Sequence, residues 1–297
     1  RLGRIEDGTT VSDYDTEEVE RKMSVKTSLL TGEWNDFHFD LMDTPGYADF
    51  IPETLSALRV ADGSVVVIDA LAGIDVGTER VWRSAGEFRL PRMVYISKMD
   101  REDIDLSTLL IQIQDRFGRE AVAIQHPLTS GEGFHQVVDL LDMKLITYTD
   151  GKMEEGEIPE SLLEEVSTLH EHLLEAVAET DEELMETYFS DGGLEADELK
   201  AGLRKAVLEG QLFPILFGDA FNNIAVDRLL RAVVDFFPSP IESPALDFAD
   251  AEGNDHTLVA AADAPLAGYV FKTVGEQHVG ELSYMRLYAG TLTHGDE

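Results

Sequence analysis

The 297 residues, 43% of them hydrophobic, are enough to bury a sizeable core and point to two domains. The lack of cysteine excludes disulfides and thiolate metal sites, and no run approaches the roughly 20 apolar residues of a membrane span. With 59 Asp and Glu against 23 Lys and Arg, the formal net charge of -36 opposes direct DNA or RNA binding, which needs cations to neutralise phosphates.

The first eight residues carry no apolar signal segment. His38 to Met42 alternates weakly and runs into a turn. Glu53 to Val60 reads as a helix with Leu55, Leu58 and Val60 on its apolar side. Val65 to Ile68 is a short β-branched run of the kind found in buried parallel strands. Thr78 to Phe88 reads as a helix carrying Val81, Trp82, Ala85 and Phe88. Met93 to Ile96 repeats the buried-strand pattern, as does Phe213 to Phe217. Strands alternating with helices predict βαβ units around a parallel sheet, with the chemistry in loops at the carboxyl ends of the strands.

The rhythm breaks over residues 125–211, read as an insertion. Tyr148 to Pro159 predicts a hairpin turning at Asp150-Gly151. Glu164 to Phe189 predicts one long acidic helix with Leu173, Leu174, Val177 and Leu184 inward, and Ala196 to Leu208 predicts another. Val226 to Phe237 is an amphipathic helix stopped by Pro238-Ser239-Pro240. A linker over 241–262 precedes strands at Leu266 to Phe271 and Leu282 to Tyr288, with Gly280 and Gly290 at turns.

Three short segments suit nucleotide chemistry. In Asp43-Thr44-Pro45-Gly46, the Asp can hold Mg²⁺ through water and the Gly lets a γ-phosphate approach the backbone. An ordinary turn would read the same way. In Ser97-Lys98-Met99-Asp100, the Asp can accept hydrogen bonds from guanine while the Lys stem lies across the base. A strand end followed by a polar cap is the alternative. Gly218-Asp219-Ala220-Phe221-Asn222 could present a backbone N–H to guanine O6, although small residues after a strand usually mark a turn.

In this order, the three segments resemble the G domain of translational GTPases. The likeness extends through Asp43-Thr44-Pro45-Gly46-Tyr47-Ala48-Asp49-Phe50, Leu58–Gly63, Gly77–Arg83, Val233–Pro240 and Gly280–Leu292, and it is greatest to the elongation factor G family. A variant branch of that family, with Tyr in the Asp-Thr-Pro-Gly-His motif, resembles the sequence most. The resemblance implies an α/β, P-loop-NTPase-type G domain over 1–124 and 212–240, lacking its first strand and phosphate loop. An α+β insert subdomain would occupy 125–211, a linker 241–262, and the beginning of a β-barrel second domain 263–297.

The resemblance also implies GTP or GDP and Mg²⁺ as ligands. Asp43 and Ser24 would serve the metal, Ser24 lying in the switch-like segment Glu20–Val25. Gly46 and Tyr47 would act at the γ-phosphate and attacking water. Asp43, Thr44, Pro45, Ser97, Lys98, Asp100, Asp219, Ala220 and Phe221 would hold the nucleotide. The motif Gly-x-x-x-x-Gly-Lys-Ser/Thr is not among these residues, so the chain reads as a truncated piece with little activity of its own. Tyr47, Ser97 and Asp219 replace the His, Asn and Ser usual in the family.

The implied function is ribosome-dependent GTP hydrolysis in translocation. The alternatives are a non-catalytic ribosome-docking scaffold and a tetracycline-type ribosomal protection protein. The acidic surface reads as adaptation to concentrated salt or as a face for a basic partner, in a monomeric, cytoplasmic protein. A Ca²⁺ loop at Asp13, Asp15, Glu17 and Glu18 lacks the necessary Gly bend. His170 and His172, two apart on a helix, face different directions. Trp34 and Trp82 read as packing residues.

Overall fold

The computed structural model describes residues 3–5, 7–249, 252–276 and 280–295. Arg1, Leu2 and Glu6 of the amino-terminal stretch, and Asp250 and Ala251 of the expected linker, lie outside them. The chain divides into two compact units, one of residues 1–62 with 238–297 and one of residues 63–237.

In the first unit, α1 (Thr16–Arg21) is closed by a capping box in which Asp15 and Glu18 satisfy each other's ends of the first turn. Strands β1 (Ser28–Trp34) and β2 (Phe37–Asp43) pair antiparallel. Both residues of their two-residue turn, Asn35 and Asp36, have positive φ, as a tight hairpin turn requires. Helix α2 (Ile51–Leu58) follows. It buries Leu58 but leaves Leu55 exposed. The sequence reading also missed β1. Its partner β2 is bonded to β1 alone among the described residues, so Asp43 does not end a strand of a parallel sheet.

The second unit is built on four parallel strands. β3 (Ser64–Asp69) and β4 (Arg92–Ser97) flank α3 (Val76–Glu87) in sequence, and α4 (Leu106–Phe117) leads to β5 (Ala121–Ala123). An antiparallel sheet of β6 (Gln125–Pro127), β7 (Gln136–Asp139), β8 (Lys144–Thr149) and β9 (Lys152–Gly156) comes next. Helices α5 (Leu163–Ala178), α6 (Glu182–Asp191) and α7 (Ala196–Leu208) then lead to β10 (Phe213–Phe217) and α8 (Val226–Phe236). The parallel order is β3-β4-β10-β5. Alternation along β4 serves two cores. Met93 and Tyr95 join one with the α5, α7 and α8 side chains Leu173, Leu203 and Phe236. Val94 and Ile96 join the other with the α3 and α4 side chains Trp82, Leu109 and Ile113. Strands buried on both faces read as continuous apolar runs, which is why β4 and β10 were legible, whereas β3 carries the same β-branched run although its Val67 is exposed.

The expected long helix over Glu164–Phe189 is two helices. Asp181 breaks it, accepting the Glu183 and Leu184 N–H groups as the cap of α6. A single Asp at an N-cap supplies acceptors that a continuing helix has no use for. The hairpin at Asp150-Gly151 is present, with both residues at positive φ. Phe88, at the end of the Thr78–Phe88 stretch, is exposed at 38%. Trp82 is a packing residue, stacked 4.2 Å from Phe117.

The expected linker contains a hairpin, β11 (Leu246–Ala249) with β12 (Asp255–Leu258). Its polar and Ala-rich composition hid the alternation that marks a strand. Both later strands are longer than the sequence suggests, β13 (Ala267–Glu276) and β14 (Gly280–Ala289) forming an antiparallel pair. Within the first unit, Arg286 grips Asp62 with two bonds of 2.8 Å and donates to the Val60 carbonyl at 2.7 Å. Lys272 there reaches Glu53 at 3.1 Å and the Thr27 carbonyl.

Candidate nucleotide site

The candidate residues fall into two groups, one in each unit. In the second unit the sequence of β4 carries the chain straight into Ser97-Lys98-Met99-Asp100, and that of neighbouring β10 into Gly218-Asp219-Ala220-Phe221. The two loops are laced together. Gly218 N–H donates to Ile96 O at 2.9 Å, and Met99 N–H donates to Gly218 O at 3.3 Å. Parallel pairing of β4 with β10 thus unites two segments more than a hundred positions apart.

Within this group, Asp100 is half-buried, and its carboxylate has no hydrogen-bond or ion-pair partner among the described residues. Ala220 is exposed, and its N–H likewise has no partner among them. An open carboxylate acceptor and an open N–H donor are the kinds of group that the edge of guanine, with its N1–H, N2–H and O6, could bond. Lys98 is exposed, at φ +59°, an uncommon conformation for a residue other than glycine, and its ammonium lies 2.7 Å from Oδ2 of Asp69 at the end of β3. Ser97 is buried, and its carbonyl accepts the Ala70 N–H at 2.9 Å.

Asp219 differs from the expectation of a nucleotide contact. It is 1% exposed, and its carboxylate accepts the Phe221 N–H at 2.9 Å and the Asn222 side-chain amide. Its backbone exchanges bonds of 2.9 and 2.8 Å with Ile224. A carboxylate occupied inside its own loop shapes that loop, leaving Ala220 and the exposed ring of Phe221 at the surface.

In the first unit, Pro45 is buried and its carbonyl accepts the Thr54 hydroxyl at 3.1 Å, which fastens the Asp43–Gly46 turn to α2. Gly46 is exposed, and a Cβ there would meet nothing within 4 Å, so packing does not demand the glycine. Tyr47 is 63% exposed and begins a short 3-10 turn over Ala48–Phe50. Thr44 is half-buried. Ser24 has no hydrogen bond to Asp43 among the described residues. Its flank is held by Glu18, whose carboxylate is 2% exposed and accepts the Val25 and Lys26 N–H groups at 3.0 Å each. Sequence reasoning assigned Glu18 no such role. The signal that could have found it is the acid three places after Asp15.

Asp43 is exposed as a residue, yet its carboxyl is crowded by protein. That burial raises its pKa above the ordinary value, the charges of Asp13 and Glu18 push the same way, and a bond from Ser12 opposes them. One oxygen of Asp13 is buried without a hydrogen-bond partner among the described residues. Crowded carboxylate oxygens of this kind suit a hard cation. Among the described residues no group of three or more Asp, Glu, His or Cys could hold a metal. A single carboxylate such as that of Asp43 could hold Mg²⁺ only in the way that ion is commonly bound, with water and substrate phosphates completing its shell. Also among the described residues, no helix is long and apolar enough to cross a membrane.

The family profile of the elongation factor Tu GTP-binding domain matches residues 2–239. A crystal structure of a Thermus thermophilus protein is 33% identical, superposes with a TM-score of 0.87, and is matched over 100% of this chain and 42% of its own length. The chain thus spans less than half of that solved relative. On that profile match, which covers most of its length, the chain belongs to the elongation factor Tu GTP-binding domain family of GTPases.

Proposed function

We propose that this chain is the guanine-nucleotide-binding part of a ribosome-dependent GTPase of the elongation factor G type, from the branch with Tyr at the position of Tyr47, acting in translocation in the cytoplasm. The observation that carries the reading is the pairing of an unpartnered Asp100 carboxylate with an unpartnered Ala220 N–H, among the described residues, on two laced loops. Asp100 would accept from guanine N1–H and N2–H, Ala220 would donate to O6, and the Lys98 stem would cover the base. Asp43 would hold Mg²⁺ through water, with Ser24 supplying a hydroxyl. Bound Mg²⁺ would neutralise phosphate charge. Gly46 leaves the backbone open to a γ-phosphate, and the exposed Tyr47 hydroxyl can orient a water.

No phosphate loop occurs in these residues, so a longer parent protein would supply it, and this chain alone would bind nucleotide weakly. The division into G-domain parts, insert, linker and barrel beginning at residues 125, 212, 241 and 263 belongs to the same reading. Tyr47 favours a second reading, a non-catalytic ribosome-docking scaffold, because a phenol is a poorer general base for a water than the imidazole usual at this position. A ribosomal protection role would use the same G domain and differ in activity on the ribosome.

The test is binding of a fluorescent GTP analogue with Mg²⁺, at low and high salt, by this chain and by the full-length protein, with Asp100→Asn alongside. Tight binding by the full-length protein supports the reading. So does a shift of the Asp100→Asn variant from guanine towards xanthine nucleotides by roughly a hundredfold or more, since xanthine presents an acceptor where guanine has its N2 donor. Absence of binding by the full-length protein in high salt removes the enzyme and leaves the scaffold.

A further inference from the structure

Lys98 does not extend freely from its loop. Its ammonium is 2.7 Å from Oδ2 of Asp69, the last residue of β3. The other oxygen of the same carboxylate accepts the Leu71 and Ala72 N–H groups at 3.0 and 3.1 Å. The Asp69 carbonyl accepts Gly73 N–H at 2.9 Å, at a turn where Gly73 takes φ +73°. The carboxylate is therefore fixed by its own turn before it meets the lysine. The Ala70 N–H to Ser97 carbonyl bond ties the same turn to the residue preceding Lys98. Together these contacts set both the backbone origin of the lysine and the place of its charged end.

Such a pair does little for stability. The two side chains are 55% and 31% exposed, and solvent-exposed pairs of this kind contribute little to net stability. Holding a long side chain in one rotamer also costs entropy. What the pair accomplishes is geometric, because it selects one course for the four-carbon stem. Burial alone would raise the Asp69 carboxyl, but the bonds from Lys98, Ala72 and Leu71 outweigh it and hold the group below its ordinary range. Asp69 is thus ionised at neutral pH and available as a permanent anchor.

We propose that Asp69 is a positioning residue for the nucleobase site, holding the Lys98 stem in the course from which it covers the base. The inference rests on the guanine reading of the Asp100 and Ala220 loops. In it, Lys98 meets the base with its aliphatic stem while its charge is engaged by Asp69. The sequence marks Asp69 only as an acid at the end of an apolar strand, four places before a glycine.

The test is fluorescent GDP-analogue binding by the full-length protein carrying Asp69→Asn, Asp69→Glu, Lys98→Met or Asp69→Asn with Lys98→Met, with thermal unfolding in parallel. Asp69→Asn should weaken binding roughly three- to tenfold, chiefly through faster release, while Tm stays within a few degrees of wild type. Asp69→Glu should recover part of the loss, because it restores the anion. In the Lys98→Met background, Asp69→Asn should have almost no further effect, since the group it positions is gone. Wild-type affinity with Asp69→Asn, or a loss fully additive to that of Lys98→Met, overturns the proposal. If the wild-type protein binds no guanine nucleotide, the guanine reading fails and this inference fails with it. If wild type binds and Asp69→Asn binds equally well, only the inference fails.

Discussion

The hydroxyl of Tyr148 donates a hydrogen bond of 2.6 Å to Oδ1 of Asp227. Tyr148 lies on β8 of the antiparallel sheet, and Asp227 lies in the first turn of α8, directly after the Gly218–Ala225 loop. Oδ2 of the same Asp accepts from Arg228 at 3.0 Å. Burial raises the Tyr148 phenol far above its ordinary value, and the bond to Asp227 adds to the rise, so the hydroxyl keeps its proton as a donor. Tyr148→Phe would remove a bond to a charged acceptor and is expected to cost about 1–3 kcal/mol. Urea unfolding checks this, and an unchanged midpoint would show that the bond contributes nothing.

Tyr95 presents the opposite case. Its side chain is 4% exposed, and its hydroxyl has no hydrogen-bond partner among the described residues. A polar group desolvated without a partner is a net cost. Tyr95→Phe is expected to stabilise the protein by about 1 kcal/mol, seen as a raised unfolding midpoint. A Cβ on Gly218 would collide with that hydroxyl and lie 2.8 Å from the Ile224 carbonyl. Gly218→Ala should therefore destabilise by more than about 2 kcal/mol, and Tyr95→Phe should recover part of the loss.

Asp43 makes stability depend on pH in a defined direction. Its folded pKa is raised by burial and by Asp13 and Glu18, so the folded state holds that proton more tightly than the unfolded chain does. The group favours folding most below the ordinary carboxylate value of 3.8, and that benefit is lost as pH rises through the raised folded value. Asp43→Asn is expected to raise Tm at pH 7, with an advantage that shrinks as the pH is lowered towards that ordinary value. An Asn variant less stable than wild type at neutral pH would contradict this.

Salt should stabilise the chain. A net charge of -36 repels itself, and at about 0.1 M salt the Debye length of roughly 10 Å leaves much of that repulsion unscreened. Raising KCl from about 0.1 to 2 M should increase Tm by about 5 °C or more, measured by calorimetry. A flat or falling Tm would mean that salt loses as much by screening ion pairs, such as Lys205 with Asp181 and Lys26 with Asp15, as it gains by screening the repulsion.

The sequence showed most clearly those elements whose pattern is local. The runs at Val65–Ile68, Met93–Ile96 and Phe213–Phe217 are β3, β4 and β10, and Ala196–Leu208 is α7 to the residue. Asp150-Gly151 marked its hairpin because few residue pairs accept positive φ twice in succession. Elements with weaker local signals were missed. The hairpin of β1 and β2 turns on Asn35-Asp36 without a glycine, and β11 with β12 lies in a polar, Ala-rich stretch. The break between α5 and α6 was hidden because an acidic surface makes a capping Asp look like one more solvent-facing charge.

For the candidate site, the sequence by itself determined which residue types sit in which short loops: Asp43-Thr44-Pro45-Gly46, Ser97-Lys98-Met99-Asp100 and Gly218-Asp219-Ala220-Phe221. Chain order and composition suffice for that, because each segment follows a stretch whose own residue pattern suggests a strand. Only the tertiary structure decided what each side chain is free to do. Parallel pairing of β4 with β10 brought Asp100 and Ala220 onto laced loops, bonds within its own loop took up the Asp219 carboxylate, and pairing of β3 with β4 set Asp69 against Lys98. The Asp69–Lys98 contact joins positions 29 residues apart and the β4–β10 pairing joins positions more than a hundred apart, and the physical reason they escape a linear reading is that a hydrogen bond is decided by distance in space.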